Sequence, residues 1–324
     1  MRARFHAFSL VDLLVTAATA VLLLSIAVPT GARVRELSKR SVCGVNLMGI
    51  GAAAKVYAAS NNEKWMIPPF KRGLIDNGGI DYLAGSYVHE PPLEPGEVGY
   101  DRFRETTSES PICPNCGSTA MSTTQAYWML VRSGDVTVKQ FICPSSLDDV
   151  PDPTAQIDLY YDFTGYRNIS YGYQVPFGPS DTRPREGMDH RQIVAADKGP
   201  FYTSSYHPPF VGDPGAIEFM VTLNDPPSSW RPFNSFNHGG QANGEGQNVL
   251  FADGRVSFER IPAVGVDNDN IYTVIDGQGW GVLPYNRIHG DTPHQSAEVN
   301  PYPGQNAFGS GAGRYATTDS LIYP

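Results

Sequence analysis

The sequence predicts an α+β chain, one long N-terminal helix packed on a C-terminal antiparallel β-rich globular domain with long loops. Three observations predict it. Residues 8–28 form an apolar run that carries a single charge, Asp12, and ends at Pro29. Beyond the proline, apolar residues recur near the 3.6-residue helical period as far as Tyr57. The 324-residue chain also holds 33 Gly, 27 Pro, 17 Tyr and 15 Phe, which gives many turns and enough aromatic area for a core.

Taken in order, residues 8–28 number 21 and would span about 30 Å as a helix, the thickness of a bilayer core. Pro29 removes one backbone donor and predicts a kink there. Val34, Leu37, Val42, Val45, Leu47, Met48, Ile50, Ala53, Ala54 and Tyr57 continue the helical period, so one helix over 8–60 is expected, membrane-spanning in 8–28. Its later Gly- and Ala-rich part suits packing against a globular body. Asn61-Asn62 supplies a polar stop, and Pro68-Pro69 prevents resumption.

Residues 61–285 read as the β-rich domain and 286–324 as a loop-rich tail, with a second long loop at 84–118. Thr123-Thr124 can cap a short helix over 125–132, closed at Gly134, with Tyr127, Trp128, Leu130 and Val131 buried. Strands are expected at 136–142, 169–175, 192–196 and 219–223. Two strand-like runs within 248–258 meet at Asp253-Gly254, which predicts a tight hairpin.

Net charge is −9, but residues 1–40 hold six basic and two acidic groups, leaving 18 basic against 31 acidic side chains beyond them, near −13. Such a balance argues against nucleic acid as a partner and for solubility or cation association. Asp12 is the oddity, because a carboxylate at membrane depth costs about 2.5–3.5 kcal/mol and asks for a partner. A removable signal peptide cut near Thr30-Gly31-Ala32 is one alternative, although its apolar core typically runs only about 7–15 residues. A plain membrane anchor is another, and charge does not orient it: Arg2 and Arg4 face Arg33, Arg35, Lys39 and Arg40 across the span.

Arg2 and Arg4, then Ala7-Phe8-Ser9-Leu10-Val11-Asp12-Leu13-Leu14-Val15, resemble the leader of type IV prepilins and type II secretion pseudopilins. Ala7 stands where that family has Gly, and Asp12 where it has Glu. The resemblance implies cleavage of a leader, residues 1–7, between Ala7 and Phe8 by a prepilin peptidase. It also implies N-methylation of Phe8 and pairing of Asp12 with the amino terminus of a neighbouring subunit. A second resemblance lies in His238-Gly239-Gly240 followed by the 246–256 hairpin, similar to the His…Asp-Gly signature of a large bacterial pilin-like exported family. His238, Asp253 and Gly254 are its members here, with fourteen residues between His and Asp where that family commonly shows nine.

The cysteines are Cys43, Cys113, Cys116 and Cys143. Cys113-Pro-Asn-Cys116 is half of a zinc-ribbon-like site, and Cys143 with Cys43 or a histidine would have to complete it. An exported setting favours a disulfide instead, Cys143 with Cys113 or Cys116, with Cys43 a small packing residue on the helix. Asp267-Asn-Asp269-Asn270 offers clustered oxygens for calcium, but lacks the Gly and distal Glu of a helix-loop-helix calcium loop, so a solvated turn is the plainer reading. No cofactor is expected.

His238 and Asp253, with Asp197 or Ser235 recruited on paper, would make an acid–base set, yet no nucleophile elbow accompanies them and Asp-Gly is explained by turn chemistry. No enzyme is expected. The resemblance implies a single-pass protein of the inner membrane with its globular domain outside the cytoplasm. Its partners would be other pilin or pseudopilin subunits and a pilus or secretion platform. The competing class is a membrane-anchored extracytoplasmic module that binds carbohydrate or protein without polymerising, and a surface hydrolase is the weakest alternative.

Overall fold

A computed structural model of the chain describes residues 9–67, 71–72, 87–88, 123–147, 149–153, 157, 163, 166–176, 183–200, 221, 223–239, 243–274, 292–293, 320 and 322–323. Helix α1, Leu10–Ala59, has 50 residues and is therefore about 75 Å long. Its first turn is closed by a reciprocal cap. The Ser9 hydroxyl accepts from the Val11 N–H at 3.2 Å, and the Asp12 carboxylate accepts from the Ser9 N–H at 3.1 Å. Helical backbone is continuous through position 29, so the predicted single helix stands within a residue or two at each end.

The two halves of α1 meet different surroundings. Leu13, Leu14, Leu22, Leu23 and Ile26 are exposed, as is the whole of the most apolar 18-residue stretch. This is the one helix among the described residues long and apolar enough to cross a membrane. Farther on, Cys43, Leu47, Ile50, Ala54, Tyr57 and Ala58 are buried, at the i, i+3, i+4 spacing of one helical face.

That face lies on a five-stranded antiparallel sheet. Its strands are β1 Tyr171–Gln174, β2 Ile193–Asp197, β3 Gln247–Phe251, β4 Val256–Glu259 and β5 Ile322–Tyr323, in the order β4-β3-β2-β1-β5. The β3–β4 hairpin pairs Leu250 with Val256 and turns at Asp253-Gly254, as expected. Gly51 lets α1 approach the sheet closely, since a side-chain carbon there would sit 2.8 Å from a Leu250 methyl. Alternation along β3 splits the core: Leu250 packs under α1, while Val249 and Phe251 join Trp230, Ile271, Tyr272 and Ile322 on the other face.

The short helix α2, Gln125–Arg132, closes at Gly134 with φ +81° as predicted, but it is buried all round rather than on one side. Thr124 makes no side-chain cap. Tyr127 packs at a tilt against Phe141 and Tyr173, and Trp128 edge-to-face against Phe163, placing the aromatic core between α2 and β1.

Two expectations change. Residues 136–142, expected as a strand, form the 3-10 turn Val138–Phe141, because Asn46 of α1 donates to the Ile142 carbonyl and Gln140 reaches back to Asn46. The end of the 286–324 tail is a paired strand, Ile322–Tyr323, bonded to Tyr173 and Gln174. The strand expected at 219–223 falls mostly outside the described residues, and the 84–118 loop almost wholly so.

Candidate functional site: the helix–domain junction

The signature histidine lies at the junction of α1 with the sheet. His238 is fully buried, and each of its ring nitrogens faces a carboxylate. Nδ1 is 2.9 Å from Glu36 Oε1 on α1, and Nε2 is 3.2 Å from Asp197 Oδ2 at the end of β2. Burial pushes the imidazole toward neutrality, but Asp197 and Glu36 outweigh it and raise its pKa above the ordinary 6.5. An imidazolium donating at both nitrogens satisfies both acids.

Each carboxylate is held in turn. The Ser145 hydroxyl donates to Glu36 at 3.0 Å. Asp197 accepts from the Asn237 side-chain amide at 3.0 Å and from the Asn248 backbone and side-chain amides at 2.6 and 3.2 Å. The Tyr272 hydroxyl donates to the Asp197 carbonyl at 2.8 Å. A buried charge network survives desolvation only when its groups are satisfied in this way.

Cysteine supplies the covalent part of the junction. Cys43 of α1 is disulfide-bonded to Cys143, with Cα atoms 5.1 Å apart. This corrects two expectations: Cys43 is a bonded partner rather than a packing residue, and Cys143 pairs with it rather than with Cys113 or Cys116, which lie outside the described residues. The reason is geometric, since the 3-10 turn carries Cys143 onto α1 beside Asn46. Among the described residues, Cys43, Cys143, Asp197 and His238 form one cluster of metal-ligating types, with ligand atoms within 4.8 Å of one another. In the disulfide the two sulfurs are bonded to each other and are not the thiolates that bind metal.

A second, partly exposed lock lies beside the first. Arg33 and Arg40 of α1 both donate to Glu245 Oε2 at 2.6 Å, and Arg40 also covers the Phe258 ring at 3.7 Å. Glu245 belongs to the long loop between His238 and β3, where Gly239 and Gly246 take positive φ. Burial raises its pKa, but the two guanidinium groups prevail and hold it below the ordinary carboxylate value.

The other predicted residues separate. Asp253 sits in the hairpin turn, where it accepts from the Arg255 N–H and where Lys55 Nζ donates to its carbonyl. Lys55 and Glu36 are nineteen helical residues apart, about 28 Å along α1, so the hairpin Asp and the junction His lie at opposite ends of the contact. They do not form an acid–base pair. Asp267 points outward and meets Arg191 at 3.9 Å, whereas Asp269 turns inward and takes the Ser320 N–H at 2.7 Å; the two are not part of a ligand cluster. Ala7 and Phe8 lie outside the described residues, and Asp12 occupies the cap of α1.

Glu36, Asn248 and Glu245 were not singled out by sequence reasoning. Glu36 had a signal, being the one acid among Arg33, Arg35, Lys39 and Arg40 on the helix. Compared with known proteins, the chain matches no family model, no curated protein and no solved structure.

Proposed function

We propose that the chain is a pilin-like or pseudopilin-like structural subunit, inserted in the membrane as a precursor, cut between Ala7 and Phe8, methylated at Phe8 and assembled through α1. The observation that carries this reading is the outer face of α1 beyond the membrane-length segment. Val34, Leu37, Val45, Met48 and Val56 are about half exposed or more, at 60, 45, 64, 53 and 62%. With Ser41 and Ala52 they recur in steps of three and four, so they form one stripe opposite the face buried on the sheet.

A simple anchor has no use for that stripe, because outside the bilayer its free face would favour polar residues. A neighbouring α1 does. The stripe continues the exposed apolar surface of residues 10–28, so one helix face suits a bilayer first and packed helices afterwards. The Cys43–Cys143 disulfide fits an oxidising compartment for the globular domain. Asp12 pairs with a neighbour's amino terminus in this scheme, and the buried, fully partnered His238 acts in structure rather than turnover.

Mass spectrometry of the mature protein tests the reading. A chain starting at methylated Phe8 is the expected result; an intact Met1 would refute processing, and a start near Arg33 would identify a removed signal. Asp12→Ala should abolish assembly while leaving insertion intact. A protein that inserts but never polymerises, wild type included, would instead be an anchored binding module.

A further inference from the structure

Beside the Arg33–Glu245 and Arg40–Glu245 pairs is a pocket of about 500 Å³, lined by Arg33, Arg40, Arg231, Arg260, Glu245 and the 226–228 turn. Four guanidinium groups face one carboxylate there, in a chain whose residues beyond 40 carry a net charge near −13. The donors are not used up. Glu245 takes one nitrogen each from Arg33 and Arg40, and Arg231 donates to Asn243 at 2.8 Å. The Arg40 Nε is buried and has no hydrogen-bond partner, and the exposed Arg260 guanidinium has no partner among the described residues. Several guanidinium forks with unused donors around one pocket suit an oxyanion with several acceptor oxygens.

Its position narrows the source. Arg33 and Arg40 follow Val28 by five and twelve residues, about 7.5 and 18 Å along the helix, and the headgroup layer on each side of a bilayer is about 5–8 Å deep, so the pocket opens at the outer edge of that layer on its Arg33 side. We propose that this pocket binds a phosphate group, and that in the membrane-inserted precursor the group is the phosphodiester of an anionic phospholipid headgroup. The lipid source rests on the reading that residues 8–28 span a bilayer. Binding there would hold the globular domain against the membrane surface before assembly, and extraction into a filament would release it.

Full-length protein is reconstituted in vesicles of phosphatidylglycerol and phosphatidylcholine, extracted in detergent, and analysed for retained lipid by native mass spectrometry. Flotation with the vesicles is measured first. Wild type should retain phosphatidylglycerol over phosphatidylcholine, and Arg231→Gln with Arg260→Gln should lower that preference by about tenfold or more for each arginine removed, the worth of a charge-assisted hydrogen bond to phosphate. Arg35→Gln with Lys39→Gln removes the same charge from α1 outside the pocket and should lower the preference only by the diffuse surface-charge share, at most about fivefold per charge. Equal losses in the two double variants would reduce the effect to diffuse surface charge and overturn the pocket. Millimolar inorganic phosphate provides the second arm: if it raises the melting temperature of wild type but not of the Arg231/Arg260 variant, while neither lipid is preferred, the phosphate pocket stands and the lipid source is overturned. Failure to float overturns the membrane reading itself, whereas flotation without preference and without a phosphate effect overturns the pocket alone.

Discussion

Replacing Cys43 or Cys143 with serine cuts the covalent tie between α1 and the domain. The bond spans a sequence separation of 100 residues. Loop-closure entropy for that length is about 4.7 kcal/mol at 25 °C, and native disulfides commonly deliver about 2–4 kcal/mol. A loss of about 3–4 kcal/mol is therefore expected. At about 2–4 °C per kcal/mol for a body of this size, the melting temperature should fall by about 10 °C. Thermal unfolding of the full-length protein in detergent, followed by fluorescence of the buried Trp65, Trp128 and Trp230, reads the change. Because one bond is being removed, Cys43→Ser, Cys143→Ser and the double variant should lose the same amount. Additive losses, or a non-reduced peptide linking Cys143 to Cys113 or Cys116, would refute the reasoning.

The His238 network should make stability depend on pH. Its folded pKa is raised above 6.5, so its contribution is fully present below about pH 6.5 and is lost as pH rises through the folded value; melting temperature should decline over that window in wild type, and an equal decline in His238→Gln would exclude this origin. Lys198 donates to Asp149 at 2.8 Å and to the Ile169 carbonyl at 2.9 Å, with both ion-pair side chains nearly buried, so Lys198→Met strands a buried carboxylate and should cost about 3–5 kcal/mol in a denaturant titration. Gly246 has φ +140°, and a side-chain carbon there would lie 2.2 Å from the Glu259 carbonyl oxygen, so Gly246→Ala should destabilise by about 2 kcal/mol or more; a neutral outcome would show that the His238–β3 loop takes another path.

The long helix, the 125–132 helix, two central strands and the hairpin were legible because each follows from a local pattern: a helical period, a Gly stop, an apolar strand run, or an Asp-Gly turn between such runs. Residues 136–142 were not. Their apolar alternation suits a strand or a 3-10 turn equally, and the choice was made by Asn46, ninety-six residues from Ile142 in sequence. Cys43 was misread for a similar reason. The local Cys113-x-x-Cys116 motif drew Cys143 toward it, whereas packing of α1 on the domain brought a distant helical cysteine within bonding reach. The His238 environment was half legible: the signature marked the residue, but its carboxylates are Glu36 and Asp197 and not Asp253, because hairpin chemistry sends Asp253 to the far end of the sheet.

The distribution of bonds along α1 says what the junction does mechanically. Over residues 9–32 the side-chain bonds of the helix among the described residues are to its own backbone, those of Ser9, Asp12, Thr16, Thr19, Ser25 and Thr30. Between Arg33 and Asn46 come the two Glu245 ion pairs, the Glu36–His238 bond, the disulfide and the Asn46 bond to Ile142. These span about 20 Å of helix and reach three separate parts of the domain: the 3-10 turn, the His238 loop and, through His238 and Asp197, the centre of the sheet. A load applied to the apolar half of α1 therefore enters the domain at its lower rim, through a disulfide and buried charge-assisted bonds, before it reaches the Leu47–Tyr57 packing. Apolar contacts alone would let a smooth helix face slide along the sheet; the directional bonds at the rim fix its register. On the proposed reading, in which neighbouring subunits pull the chain out of a bilayer, such a fixed register is required, and Glu36–His238–Asp197 supplies the only buried ionic part of it among the described residues.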